Sequence, residues 1–283
     1  MSEVDFNAIF KHIPLLQDLS PGDFEITALP GLNNRNFRLL SAGHDYLLRI
    51  PAVPTNRMIN RQAEAFNVAQ LRQLGLAPEP LWRDDHGLSL TRFITGARVL
   101  TAADLLNDSI LSLLAGRIAV LHTAELKLHG QIDLLALLSR YFDMMPANCR
   151  AEYADAFEAA RRIMSLSIQA NDQRMVASHN DLVLDNLLID DSGQLYFIDW
   201  EYAAMASPYW DLAIVCNSAR LGPGCCRQLL HAYHQAAFAL SFQHLRDYQW
   251  MLQVLTIGWM ACFSPQALPA EIDWLHQLER KNV

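Results

Sequence analysis

Apolar positions along this 283-residue chain change rhythm about a third of the way in. Up to about residue 95 the apolar runs are short: Tyr46 to Ile50 (YLLRI) and Leu88 to Ile94 (LSLTRFI) are β-rich stretches of strand length. Between them Ile59, Ala63 and Phe66 recur at helical spacing, which predicts a helix capped by Asn56 and closed at Gly75. The following LAPEPLW is broken by proline and predicts extended chain. From about Thr101 the repeat lengthens to three and four residues. TAAD, starting at Thr101, has the form of a capping box. Ile110, Leu111, Leu114, Ile118 and Leu121 then share one face of a helix over 108–121. Further helices are predicted over 151–167, 225–240 and 245–262. A hairpin interrupts this helical half, with NLLI and QLYFID as strands and DDSG as the turn.

The residue balance narrows the class without naming it. With 52% hydrophobic and 18% charged residues, the chain can fill one large domain or two lobes sharing a cleft. A net charge of -8 and the lack of a dense Lys/Arg run argue against a nucleic-acid or anionic-membrane surface. Five cysteines without a CxxC pair point away from a disulfide framework or zinc site and toward a reducing compartment. MSEVDFNAIF carries acids where a secretory leader carries bases. The apolar stretch WMLQVLTIGWMACF is shorter than the roughly 20 residues that span a bilayer, and it contains Gln253. The expectation is a soluble cytoplasmic protein with no membrane insertion. Its oligomeric state is not legible.

The chemistry concentrates in SHNDLVLDNLLID, which begins at Ser178. A loop carrying Asp181 and Asn186 feeds the hairpin, and the hairpin returns Asp199 beside that loop. Carboxylate and amide oxygens suit Mg²⁺, which takes one or two carboxylates plus substrate phosphates and water. Asp181 is then left to accept a proton from a hydroxyl nucleophile. Taken singly these residues read more blandly: His179 as scaffold, and an isolated Asp and Asn five apart as a turn pair. The returning Asp199 favours catalysis.

HNDLVLDN…FIDWE resembles the HxDxxxxN…D signature of the kinase-like superfamily, closest to its aminoglycoside phosphotransferase and choline/ethanolamine kinase branch. His179, Asp181, Asn186 and Asp199 match position by position. IDWEYA is similar to the IDFEYA of choline kinases, and Asp211 in YWDLA falls at that family's spacing. LPGLNNRNFRL looks like the family's phosphate loop, which implies backbone N–H groups of Asn33, Asn34 and Arg35 facing phosphate. Arg49 stands where protein kinases carry the strand lysine, Glu64 matches its partner carboxylate, and Arg92, Phe93 and Ile94 fall at the adenine hinge. The resemblance implies an α+β, protein-kinase-like fold, with a small β-rich N-lobe over 1–95 and a mainly helical C-lobe over 96–283. It further implies MgATP in the cleft and transfer of the γ-phosphoryl group to a small-molecule hydroxyl. Asp181 would be the base, Asn186 and Asp199 would hold Mg²⁺, and His179 and Asp211 would be structural. Glu201, Tyr202 and Trp259 match acceptor-pocket positions. The acceptor stays open among choline or a related amino alcohol, thiamine, an aminoglycoside and a sugar. A pseudokinase is the alternative of another class. A protein kinase is disfavoured, because no APE-like segment follows IDWE.

Overall fold

The computed structural model describes residues 4–30, 34–51, 59–170 and 174–280. Among them, five antiparallel strands form the first layer: β1 (Glu25–Leu29), β2 (Asn34–Ser41), β3 (His44–Pro51), β4 (Pro80–Arg83) and β5 (Ser89–Arg92), in the order β1-β2-β3-β5-β4. Alternation puts Phe37, Leu39, Leu48 and Leu90 on one buried face. Helix α1 (Phe6–His12) closes that face, with Phe6 edge-on to Phe37 and Phe10 edge-on to Phe24. The register sets Asn36 opposite Arg49 on the face away from Phe37 and Leu48, where Arg49 meets α2 (Arg61–Leu71).

Helix α2 departs from the sequence expectation in two ways. It begins at Arg61 under a cap from Asn60, whose side chain accepts from Ala63 N, while the expected cap Asn56 lies outside the described residues. Its buried face is Arg61, Glu64, Asn67 and Leu71, whereas Phe66 is 45% exposed. The helix turns charged and amide groups inward because what it meets is polar. Gly75 ends the segment in the left-handed conformation, as expected of a glycine at a helix end.

The remainder is mainly helical: α3 (Asp108–Thr123), α4 (Leu134–Met144), α5 (Ala147–Ala170), α6 (Pro208–Ser218), α7 (Pro223–Ala236), α8 (Phe242–Phe263) and α9 (Leu268–Arg280). Leu111, Leu114, Ile118 and Leu121 of α3 are buried, as their spacing predicts. TAAD makes both capping-box bonds, yet it starts a single 3₁₀ turn, and Asn107 caps α3 itself. Short strands thread this half. β6 (Arg98–Val99) pairs with β8 (Leu187–Ile189), β8 with β9 (Leu195–Phe197), and β7 (Val176–Ser178) with β10 (Ala204–Ala206). One large core joins these helices and also takes in Leu71 and Leu76 from the chain before β4.

Candidate active site

The segment between β7 and β8 is held open by buried polar anchors. Asp211, in the first turn of α6, accepts from His179 N at 2.9 Å and from Asn180 N at 2.8 Å. His122 Nε2 donates to the same carboxylate at 3.1 Å, and its Nδ1 meets the Tyr233 hydroxyl at 3.0 Å. Burial works against the Asp211 charge, but the bond from His122 and the loop amides outweigh it and hold the carboxyl below its ordinary range. His179 Nε2 donates to Ile198 O at 2.9 Å, with its ring against Trp200. Full burial pushes the His179 pKa down, so a neutral imidazole braces the loop against the hairpin. Asn180 adopts a left-handed φ of 66° while its amide donates to Tyr202 O at 3.0 Å.

That bracing brings the three expected oxygens together. Asn186 Nδ2 donates to Asp181 O at 2.8 Å and to Asp181 Oδ2 at 3.0 Å, so its amide oxygen is the end left for another ligand. Ile198 N donates to Asn186 O at 3.0 Å, fixing the end of β9 beside the loop. Asp199 then leaves the strand in a left-handed conformation, φ 62°. Burial, followed by the Asp199 charge, pushes the Asp181 pKa up to about 8. Among the described residues no three His, Cys, Asp or Glu side chains are grouped to hold a metal alone. Two or three hard oxygens brought together this way fit Mg²⁺ shared with phosphate and water.

The sheet contributes cations. Arg49 Nη1 lies 3.3 Å from Glu64 Oε1, the expected pair, and Nη2 lies 3.1 Å from Asp199 Oδ1. Arg61 (2.6 Å) and Arg83 (2.5 Å) also reach Glu64 Oε2, and neither was expected from sequence. Burial opposes the Glu64 charge, and these guanidiniums overcome it, holding the carboxyl below its ordinary range. Glu201 is fully buried against Arg49, Arg61 and Asn34. Asn33 lies outside the described residues. Asn34 opens β2, and the Arg35 guanidinium lies 5.6 Å from the Phe37 ring. Where the resemblance places the hinge, Arg92 N donates to Glu79 O and Phe93 N to Asp45 O, while Ile94 O accepts from Ala97 N. The Phe93 ring lies under the Arg38 guanidinium at 4.2 Å.

On the other side of Asp181 stand aromatic groups. Burial pushes the Tyr141 hydroxyl up to about 12, and Tyr202 is raised for the same reason, each with a contribution from the Asp181 charge. Tyr141, on α4, was missed in the sequence, since nothing local marks it. Trp259 packs on Phe263 at 5.4 Å on the stretch of α8 that meets α4. That meeting needs Gly258: a Cβ there would come within 3.1 Å of Tyr141 Cβ and 3.3 Å of Phe157 Cζ.

A strand-borne cation with its helix carboxylate, facing a braced Asp/Asn loop and a returning Asp, defines a phosphotransferase cleft. The phosphotransferase enzyme family matches residues 25–251, and the chain belongs to that family. The protein LicA of Haemophilus influenzae is 28% identical over 238 residues, covering 81% of this chain and 89% of that one. The crystal structure of choline kinase LicA from Streptococcus pneumoniae superposes with a TM-score of 0.82 at 21% identity, covering 98% of each chain. That of a choline/ethanolamine kinase family protein from Mesorhizobium loti gives 0.77 at 23%, covering 98% of this chain and 92% of that one. At these identities the structures establish the fold, which is the α+β, protein-kinase-like one. Among the described residues no helix is long and apolar enough to cross a membrane.

Proposed function

We propose that the chain transfers the γ-phosphoryl group of MgATP to the hydroxyl of choline or a related amino alcohol, in the cytoplasm. The observation that carries this reading is the convergence of Asp181, Asn186 and Asp199 from one lobe with Arg49 from the other. Asp181 orients the acceptor hydroxyl and in its ionised form takes the proton. A cation held at Asp199 would favour that form by offsetting the charge that, after burial, raises the Asp181 pKa. Asn186 and Asp199 would hold Mg²⁺ through their side-chain oxygens, and the ion would supply charge neutralisation at the phosphates. Arg49, held by Glu64, grips phosphate with a forked guanidinium. Asn34 and Arg35, which open β2, face the phosphates together with the preceding Asn33, and the hinge at Arg92, Phe93 and Ile94 receives the adenine. The lobes divide near residue 95. Catalysis is then mainly positioning and electrostatics.

For the acceptor, Tyr141, Tyr202 and Trp259 offer aromatic faces, and the Asp181, Asp199 and Glu201 charges reach the Tyr202 hydroxyl. Aromatic faces in a negative field favour a cationic head group. The names of the relatives, choline kinase in Streptococcus pneumoniae and ethanolamine kinase in Drosophila melanogaster, support the same class. The test is ADP release from MgATP against choline, ethanolamine, thiamine, several aminoglycosides and simple sugars. Stimulation by choline or ethanolamine is expected. Stimulation by a neutral sugar alone would refute the cationic acceptor, and MgATP binding without turnover on any acceptor would favour a pseudokinase.

A further inference from the structure

Glu201 matches an acceptor-pocket position, but its side chain faces the other way. It belongs to the 3₁₀ turn Trp200–Tyr202 that leaves Asp199. Its Oε2 meets Arg49 Nη2 and lies 3.4 Å from both Arg61 Nη1 and Asn34 Nδ2. Those partners come from β3, α2 and the start of β2, so one carboxylate from the metal turn touches three separate elements of the nucleotide lobe. The side chain is fully buried. Its other oxygen makes no hydrogen bond among the described residues, a cost that only strong charge pairing offsets.

Glu64 does not suffice to aim Arg49. It is shared with Arg61 and Arg83, which approach it more closely, at 2.6 and 2.5 Å against 3.3 Å for Arg49. Among the carboxylates described against Arg49, the third is Asp199, whose oxygens the metal would claim. Glu201 is therefore the carboxylate that still fixes Arg49 once phosphate and metal arrive.

We propose that Glu201 is a positioning residue for the nucleotide phosphates: it aims Arg49 and clasps the edge of the N-lobe to the metal turn, and it does not touch the acceptor. This rests on the kinase reading above. That reading is tested separately, since wild-type protein without Mg²⁺-dependent nucleotide binding would end it. For the clasp, Glu201→Gln keeps the shape and removes the charge. Binding of a non-hydrolysable ATP analogue with Mg²⁺, without acceptor, is measured by calorimetry for wild type, Glu201→Gln, Arg49→Gln and the double variant. The expected result is about a tenfold or larger loss of nucleotide affinity in Glu201→Gln, with the acceptor KM unchanged. Glu201→Gln should add little in the Arg49→Gln background, because both act through one contact. A raised acceptor KM with unchanged nucleotide affinity would return Glu201 to the acceptor pocket. Additive losses in the double variant would show that it does not act through Arg49. Should Glu201→Gln not fold, Glu201→Asp, which keeps the charge but withdraws it by one methylene, carries the same comparison.

Discussion

Asp181→Asn should stabilise the protein while abolishing transfer. In the folded chain burial and the Asp199 charge hold the Asp181 pKa up to about 8, against about 3.9 in an unfolded chain. Below pH ~3.9 the carboxyl is protonated in both states, and Asn should match Asp. Between ~3.9 and ~8 the unfolded chain releases the proton and the folded one keeps it, so wild type loses stability as pH rises. At about 1.4 kcal/mol per pH unit this gap caps the effect near 5–6 kcal/mol. The side chain is only half-buried, and water reaching it reduces the figure to roughly 2–3 kcal/mol. Asparagine retains an oxygen for the bond from Asn186 Nδ2, so little packing is lost. Melting curves of metal-free protein in chelator, taken from pH 4 to 9 for both forms, test this. The variant's Tm should match wild type in acid and exceed it by several degrees at pH 8. A pH-independent difference, or a less stable variant at pH 8, would refute the argument, and turnover in the variant would remove Asp181 as the base.

Glu64→Gln leaves Arg83 against a neutral amide and throws Arg49 and Arg61 onto Glu201 and Asp199. It should cost about 3–5 kcal/mol at pH 7 in urea denaturation. Because the folded Glu64 pKa is lowered, that gap should narrow as pH falls below about 4.3; a gap that widens in acid would contradict it. Gly258→Ala gains helix propensity but pushes against Tyr141 and Phe157, for a net cost of about 1–2 kcal/mol in urea denaturation. Its acceptor KM should rise while its ATP KM holds, as steady-state kinetics would reveal.

The contiguous part of the site was legible because the chain itself delivers it: His179, Asp181, Asn186 and Asp199 lie on one loop and one hairpin, and short-range turn chemistry brings them together. The α3 face was legible for a similar reason, since its partners are uniformly apolar. Helix α2 was not. Its inward residues Arg61, Glu64 and Asn67 answer to polar groups far away in sequence, such as the His129 and Ala203 carbonyls that accept from Asn67, and hydrophobic spacing carries no trace of these. Tyr141, and the His122 and Tyr233 groups that join Asp211, were missed likewise, each being a meeting of distant helices. Two- and three-residue strands such as β6 and β10 carry too few positions for alternation to register.

The connection between the lobes is stitched at both ends. Phe93 N and the Thr95 hydroxyl bond to Asp45 on the sheet side, at 3.0 and 2.8 Å. On the other side β6 pairs with β8, and Leu100 N donates to Leu187 O at 2.9 Å. Only Gly96 and Ala97 lie between the seams, and Gly96 holds a φ of 75° that other residues resist. The covalent connection from sheet to helical part therefore narrows to two residues, while α2 and Glu201 bridge the same parts through space. The hairpin that carries Asp199 lies on one side of that connection and the Arg49 strand on the other. The distance from Arg49 to Asp199, the proposed phosphate-gripping cation and metal-binding carboxylate, is thus shared between this short joint and the contacts of α2 and Glu201, and a one-residue insertion at Gly96 would loosen the joint's share while leaving those side chains unchanged.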